Sequence, residues 1–214
     1  MRFGPDYEEH RRLPDGTPVR LRLVGPADRE KLLAGFARLS DESRYTRFFT
    51  AMPRLPDATL DRLLHTDGWN HLAIGAEADD GPTETAEGYG IARFIRLDEA
   101  PDAAEAAVVV VDSMQRRGLG KLLLSRLAAA ARERGITHFR AEILRTNQPM
   151  IALLHEIDGA AHPTYEGHVA VYDFAVPAHG DDDTHHGPLF GVLRLAAAGL
   201  QVALRRLLPA APPE

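Results

Sequence analysis

The 214-residue sequence contains no cysteine. That excludes disulfides, thiolate metal sites and cysteine nucleophiles, and it fits a reducing compartment. Basic charge is not in excess either: 25 Lys and Arg face 31 Asp and Glu, a formal net charge of −6. No overall positive field steers such a chain to nucleic acid, so nucleic acid is not an expected partner. The opening residues Met1 to His10 lack the apolar core of a secretory signal, and the expected location is the cytoplasm. What remains is an ordinary globular mixture, 44% hydrophobic and 26% charged, enough for one domain with appendages.

The chain is organised around Val108-Val-Val-Val-Asp-Ser-Met-Gln-Arg-Arg-Gly-Leu-Gly-Lys121. Four β-branched residues in a row favour a buried strand. Leu122, Leu123, Leu127 and Ala130 then recur at helical spacing. Gly118 and Gly120 lie in the turn between them, beside Arg116, Arg117 and Lys121. A strand feeding a helix through a glycine turn leaves backbone N–H groups unpaired at the helix start. Those donors, with the positive end of the helix dipole, suit a phosphate or pyrophosphate. The turn sits mid-chain and lacks the first glycine of a dinucleotide fingerprint, so a Rossmann domain is excluded.

In chain order, residues 1–16 are polar and read as an N-terminal arm, frayed or in contact with a partner. Residues 17–24 alternate Val19, Leu21 and Leu23 with Arg20 and Arg22, the period of a half-buried strand. Asp28 is placed to cap a helix with Leu32, Leu33, Phe36 and Leu39 on its apolar face. Two further helical stretches follow, then strands over 71–76, 88–95 and the valine run. Gly135 is placed to close the helix that follows. A strand over 138–144, a helix opened by Asn147 and Pro149, and strands over 160–165 and 168–175 complete the domain at residue 176. This order predicts a mixed, mostly antiparallel sheet flanked by helices, an α/β (α+β) fold spanning 17–176. Residues 177–187 form a linker, and 188–208 an amphipathic C-terminal helix with Leu189, Leu193, Leu200, Leu204 and Leu207 on one face. That helix packs on its own domain or in a homodimer, or less readily lies on a membrane surface, because it carries arginines and no acids. Arg194, Arg205 and Arg206 interrupt the run of roughly 20 apolar residues that a spanning helix needs.

Gln115-Arg116-Arg117-Gly118-Leu119-Gly120, between a valine strand and a helix and followed by a strand and Asn147, resembles the acyl-CoA pyrophosphate loop of the GNAT N-acetyltransferases. Within that superfamily, Leu39-Ser-Asp-Glu-Ser-Arg-Tyr-Thr-Arg-Phe-Phe49 is similar to a segment of the bacterial protein lysine acetyltransferases, as are the stretches around Glu105 and from Glu142 to Met150. The resemblance covers the acetyltransferase domain and not the arm or the C-terminal helix. It implies an enzyme that transfers the acetyl group of acetyl-CoA to an amine, a protein lysine, by direct attack in a ternary complex, with no metal. It implies that Gln115, Arg116, Arg117, Gly118, Leu119, Gly120 and Lys121 cradle the diphosphate. Backbone at Val110 and Val111 and the side chain of Asn147 would meet the pantetheine arm, and the Val110 amide would stabilise negative charge developing on the thioester oxygen. A lysine amine has a pKa of about 10.4 and must lose a proton to attack. Glu105, ten residues before Gln115, stands where these enzymes place their catalytic base.

Each assignment has a plainer counterpart. Glu105 is otherwise a solvated strand-end carboxylate, Asn147 a helix cap, and Val110 and Val111 core valines. Arg44, Tyr45, Arg47, Phe48 and Phe49 form an acceptor-side wall or, equally, a helix packing its aromatics into the core. His185 and His186 beside Asp181 to Asp183 read as a solvated linker rather than a metal site. Many small-molecule acetyltransferases of this fold carry a tyrosine acid where Leu154 stands here, so no general acid is assigned and the acceptor leans towards protein lysine. The alternatives are a small-molecule amine acetyltransferase and a non-catalytic acyl-CoA-binding module.

Overall fold

A computed structural model describes residues 1–48, 52–146 and 163–176. Its strands are β1 (Glu8–Arg12), β2 (Pro18–Leu23), β3 (His71–Ala78), β4 (Gly88–Arg96), β5 (Ala103–Val110), β6 (His138–Leu144), β7 (Thr164–Glu166) and β8 (Val169–Ala175). Its α-helices are α1 (Arg29–Ala37), α2 (Asp41–Phe48), α3 (Asp57–Leu64) and α4 (Leu119–Arg132). The strands form one sheet in the order β1-β2-β3-β4-β5-β6-β8-β7. Neighbours are antiparallel except β5 and β6, which α4 joins as a crossover and which are therefore parallel.

Alternation gives the sheet two different faces. Leu21, Ile74, Ala92, Phe94, Ala106 and Val108 share the face on which α4 packs with Leu119, Leu123 and Leu127. A Cβ at Gly90 would reach the Leu123 side chain at 3.2 Å and the Val109 carbonyl at 2.9 Å, so this glycine permits the close approach of α4 and β5. The opposite face, toward α1 and α3, carries Arg20, Arg22, Glu77, Arg93 and Glu105. Covered charges require partners. Glu77, 3% exposed, accepts from Arg20 Nε at 2.9 Å, Arg22 Nη2 at 3.0 Å and Lys31 Nζ at 2.6 Å. Desolvation opposes ionisation of Glu77, and these three cations outweigh it and hold its carboxyl below the usual range.

Two expectations need correction. Residues 1–16 are not a frayed arm: β1 pairs with β2 from Glu8↔Arg22 to Arg12↔Pro18. The mostly exposed β1 gives no hydrophobic signal. The apolar residues flanking it do the anchoring, with Phe3, Tyr7 and Leu13 buried and Arg134 Nη2 donating to the Phe3 carbonyl at 2.7 Å. Glu9 is held by Arg126 of α4, among others, which together outweigh the cost of burial and bring its carboxyl down to about 2. Asp28, in turn, does not cap α1 with its side chain. Its carboxylate turns back to the Gly25 amide at 2.9 Å and to Arg22, because an under-covered guanidinium is a stronger donor than a helix amide.

Strands expected over 17–24, 71–76, 88–95, 138–144 and 168–175 are present. Gly135 ends α4 at φ 74°, with the Ile136 amide bonded back to the Ala131 carbonyl at 3.0 Å. Asn147 and its helix, Leu154, the linker with its histidines and the C-terminal helix lie outside the described residues. Among those described, no helix is long and apolar enough to cross a membrane, and no group of side chains could hold a metal ion.

Candidate active site

The site begins where β5 loses one neighbour. The Val111 amide donates to the Tyr89 carbonyl at 2.9 Å, which with the β4–β5 register assigns the amides of odd-numbered β5 residues to β4. Even-numbered residues face β6. The β5–β6 ladder, however, runs only from Ala103↔His138 to Glu105↔Arg140, although both strands continue. Beyond Glu105 the amides of Val108 and Val110 therefore point into an opening between the strands. The Val110 carbonyl is taken by Gln115 Nε2 at 3.2 Å, leaving its N–H as the group the strand end presents. Val111 does not share this role. Its amide is spent on Tyr89 and its carbonyl accepts from Met114 at 2.9 Å, since the antiparallel ladder runs one residue past the valine strand.

The loop that follows makes a 3-10 turn over Asp112–Met114, then enters the left-handed region twice, at Arg116 (φ 59°) and Gly118 (φ 87°). The first intrahelical bond of α4 is from the Leu122 amide to the Gly118 carbonyl, 3.1 Å. The amides of Leu119, Gly120 and Lys121 thus have no acceptor within the helix and are grouped at its positive end. A Cβ at Gly118 would also press on Pro14 at 3.1 Å. These donors fit a diphosphate. The side chains divide unevenly: Arg116 is exposed, while Arg117 is committed to Asp15, to Thr17 Oγ1 at 2.5 Å and to Met114 Sδ at 2.9 Å. Gln115 turns its amide inward, so only its backbone and those of its neighbours remain for a ligand.

Asp112 carries no signal in the sequence, yet it joins this loop to α2. Its carboxylate accepts from the Ser40 amide at 2.8 Å, Ser40 Oγ at 3.1 Å and Ser43 Oγ at 2.8 Å. Burial would raise its pKa, and those donors prevail and lower it. Gln115 Nε2 approaches both Ser43 Oγ (3.3 Å) and Asp112 Oδ1 (3.4 Å), so one amide touches the strand end, the loop and α2.

Glu105 is 3% exposed, not the solvated strand end of its plainer reading. It stands in register between Ile95 and Arg140, at the root of the opening. Arg140 is held ionised chiefly by its bond to Asp173, with Glu99 and Glu105 adding to that field. On the same face Arg93, 2% exposed, donates to the Leu63 carbonyl at 2.8 Å and to His71 Nε2 at 3.1 Å. Desolvation, and then Arg93, pushes the His71 pKa down to about 4, so His71 is neutral, with Nδ1–H donating to the His65 carbonyl and Nε2 accepting. The structure does not bring Glu105 and Val110 into direct contact: five residues of extended strand separate them by roughly 16 Å. The amide of Val108, which the sequence reading did not single out, lies in the same row at roughly 10 Å.

A strand that opens at its end, an amide aimed into the gap and the positive start of a helix form one continuous track. The model of the Acetyltransferase (GNAT) family matches residues 36–159. The chain belongs to the GNAT acetyltransferase family. Acetyltransferase Pat from Mycolicibacterium smegmatis is 31% identical over 138 residues, which make up 64% of this chain and 40% of that protein. This chain thus spans less than half the length of that relative. Among solved structures, the GNAT domain of S. lividans PAT superposes with a TM-score of 0.68 at 32% identity, covering 81% of this chain and 99% of that one. The acetyltransferase yncA from Salmonella typhimurium, solved with acetyl-CoA, shares the fold at TM-score 0.54 and 20% identity, covering 78% and 98%.

On the polar face of this acetyltransferase a cleft open to solvent lies between α1, α2 and β4. Its walls include Phe36, Phe48, Ile91 and Arg93, and it reaches the β5 end at Val109 and Val111. The cradle loop lies outside it. The α2 aromatics split their duties. Phe48 is buried with its ring 5.7 Å from that of Phe36, whereas Tyr45 is 47% exposed and is not a core residue. Arg44 stacks over Phe36 at 4.9 Å.

Proposed function

We propose that the protein transfers the acetyl group of acetyl-CoA to the side-chain amine of a protein lysine, by direct attack in a ternary complex. The cosubstrate supplies an activated thioester. The amides of Arg116 to Lys121 hold its diphosphate, and Asn147 contributes to the pantetheine side. The Val110 amide binds the thioester oxygen and favours the negative charge that develops there as the amine adds; the C–S bond then breaks and coenzyme A leaves as a thiolate that solvent protonates. Glu105 takes the proton from the incoming ammonium through water, because the strand geometry leaves no direct path to a group held at Val110. The observation that carries this reading is the opening of β5 from β6 immediately after Glu105, which sets a carboxylate at the root of a gap into which the Val108 and Val110 amides point. The similarity of Leu39–Phe49 to a segment of the bacterial protein lysine acetyltransferases supports a protein acceptor.

Turnover of acetyl-CoA against an extract of the host proteome, read by acetyl-lysine mass spectrometry, tests it. New acetyl-lysine sites that depend on the protein are expected. Turnover on polyamines or aminoglycosides without protein acetylation would favour the small-molecule reading. Binding of acetyl-CoA with no thiol release on any amine would favour a non-catalytic module. The helix expected over 188–208 is assigned to packing on this domain or a second copy. Loss of the dimer on deleting 178–214, by mass in solution, is the result that assignment requires if the helix is a dimer contact.

A further inference from the structure

We propose that Asp112 is a positioning residue that couples the cosubstrate loop to the acceptor side of the site, acting through Ser40, Ser43 and Gln115. It deepens the proposed function and rests on that reading for the role of α2 as acceptor wall. The bonds make Asp112 the junction of three elements. The residue lies directly after the valine strand, in the 3-10 turn that delivers the chain to the cradle. Its Oδ2 accepts the Ser40 amide just before α2, and its Oδ1 accepts both the Ser40 and the Ser43 hydroxyls. Ser43 is buried, and its amide in turn bonds Ser40 Oγ at 3.1 Å, which closes the cap of α2.

The turn therefore cannot shift without carrying the first turn of α2 with it. At its far end α2 places Phe48 in the wall of the cleft that Val109 and Val111 also line. Gln115 closes the circuit by bonding the Val110 carbonyl, so the peptide after the proposed oxyanion donor is clamped at both ends, by Gln115 and by Tyr89. Seating a diphosphate on the cradle restrains the 112–118 backbone. Through Asp112 that restraint is transmitted to α2. It also gives the serines of the Leu39–Phe49 segment a role that a helix merely packing aromatics would not need.

The test uses coenzyme A as probe and hydrogen exchange as readout, so it does not depend on an acceptor or on Glu105. In the wild-type protein, saturating coenzyme A should slow amide exchange in 41–48 by about 10-fold, a typical coupling between sites. In Asp112→Ala the same saturation should still protect 115–121, with coenzyme A affinity by calorimetry within about 3-fold of wild type, but leave 41–48 unchanged. Asp112→Asn, which keeps one acceptor oxygen, should fall between. Ser43→Ala is the milder variant should Asp112→Ala fail to fold, and should reduce the protection of 41–48 in the same sense. With poly-lysine as acceptor, the acceptor KM should rise by roughly 10-fold in Asp112→Ala while the acetyl-CoA KM stays near wild type. Equal protection of 41–48 in wild type and variants, or no protection of 41–48 in wild type, would overturn the coupling. A parallel rise in both KM values would reduce Asp112 to a builder of the cradle.

Discussion

The two faces of the central sheet are made by the same strands and bury opposite chemistry. Toward α4 the alternate residues are Leu21, Ile74, Ala92, Phe94 and Val108, and the face is filled by shape and volume. Toward α1 and α3 they are Arg20, Glu77, Arg93 and Glu105, all buried, and the partly covered Arg22. An apolar face tolerates repacking, whereas a covered polar face is defined partner by partner, because an orphaned charge has no cheap alternative. The apolar face holds the fold and the polar one presents the cleft and the carboxylate. Both faces should therefore carry stability, the apolar one through volume and the polar one through pairing, and only the polar one activity.

The largest effect that could break this contrast is on stability. Glu77→Ala strands Arg20, Arg22 and Lys31 and should cost about 3–5 kcal/mol in denaturant unfolding. That would equal or exceed Leu127→Ala on the opposite face, at about 2–5 kcal/mol. A Glu77→Ala cost under about 1 kcal/mol, the range of a surface pair, would mean the cluster is in effect solvated.

Acid titration sharpens the same contrast. The folded-state pKa of His71 is about 4, below its ordinary value of 6.5, so the unfolded chain binds the extra proton. The His71 contribution to stability should then fall as pH drops from 6.5 to 4, by up to about 3 kcal/mol, and level off below that. Asp28 and Glu77 are depressed carboxylates, present as stabilising charges above the ordinary carboxylate range and lost at lower pH. A His71→Gln variant should lose the upper part of the Tm–pH slope and keep the lower part.

Smaller effects belong to the cradle. Gly118→Ala forces a Cβ into the left-handed region against Pro14 and should cost about 1–2 kcal/mol, with weaker coenzyme A binding by calorimetry. Arg117→Ala should change that affinity by less than about 3-fold, because this guanidinium is already committed to Asp15 and Thr17 and the backbone carries the contact.

Much of this architecture could be read from residue order. Val108 to Lys121 announced strand, turn and helix because β-branched and helical periodicities meet at two glycines, and the structure keeps that order, with the strand ending at Val110 and a 3-10 turn over Asp112–Met114 before the glycines. The polar face was less legible. Alternation marks Arg20 and Arg22 as facing away from the apolar core, and only the tertiary placement of α1 shows that they are covered. β1 was missed because its anchors, Phe3, Tyr7 and Leu13, flank the strand rather than alternate within it. Asp112 and Ser43 are 69 residues apart, so no local pattern joins them. Backbone at Val111 was given to the pantetheine arm by resemblance, and the extra rung to Tyr89 that takes its amide depends on β4, which the loop motif does not contain.

The central claim is that the buried carboxylate at the root of the β5–β6 opening drives acetyl transfer. It is tested most directly by Glu105→Gln, comparing thiol release from acetyl-CoA with a protein acceptor against acetyl-CoA affinity by calorimetry. The account predicts a fall in turnover of about 10²–10⁴-fold with affinity essentially retained. Wild-type turnover in a folded Glu105→Gln protein would contradict it.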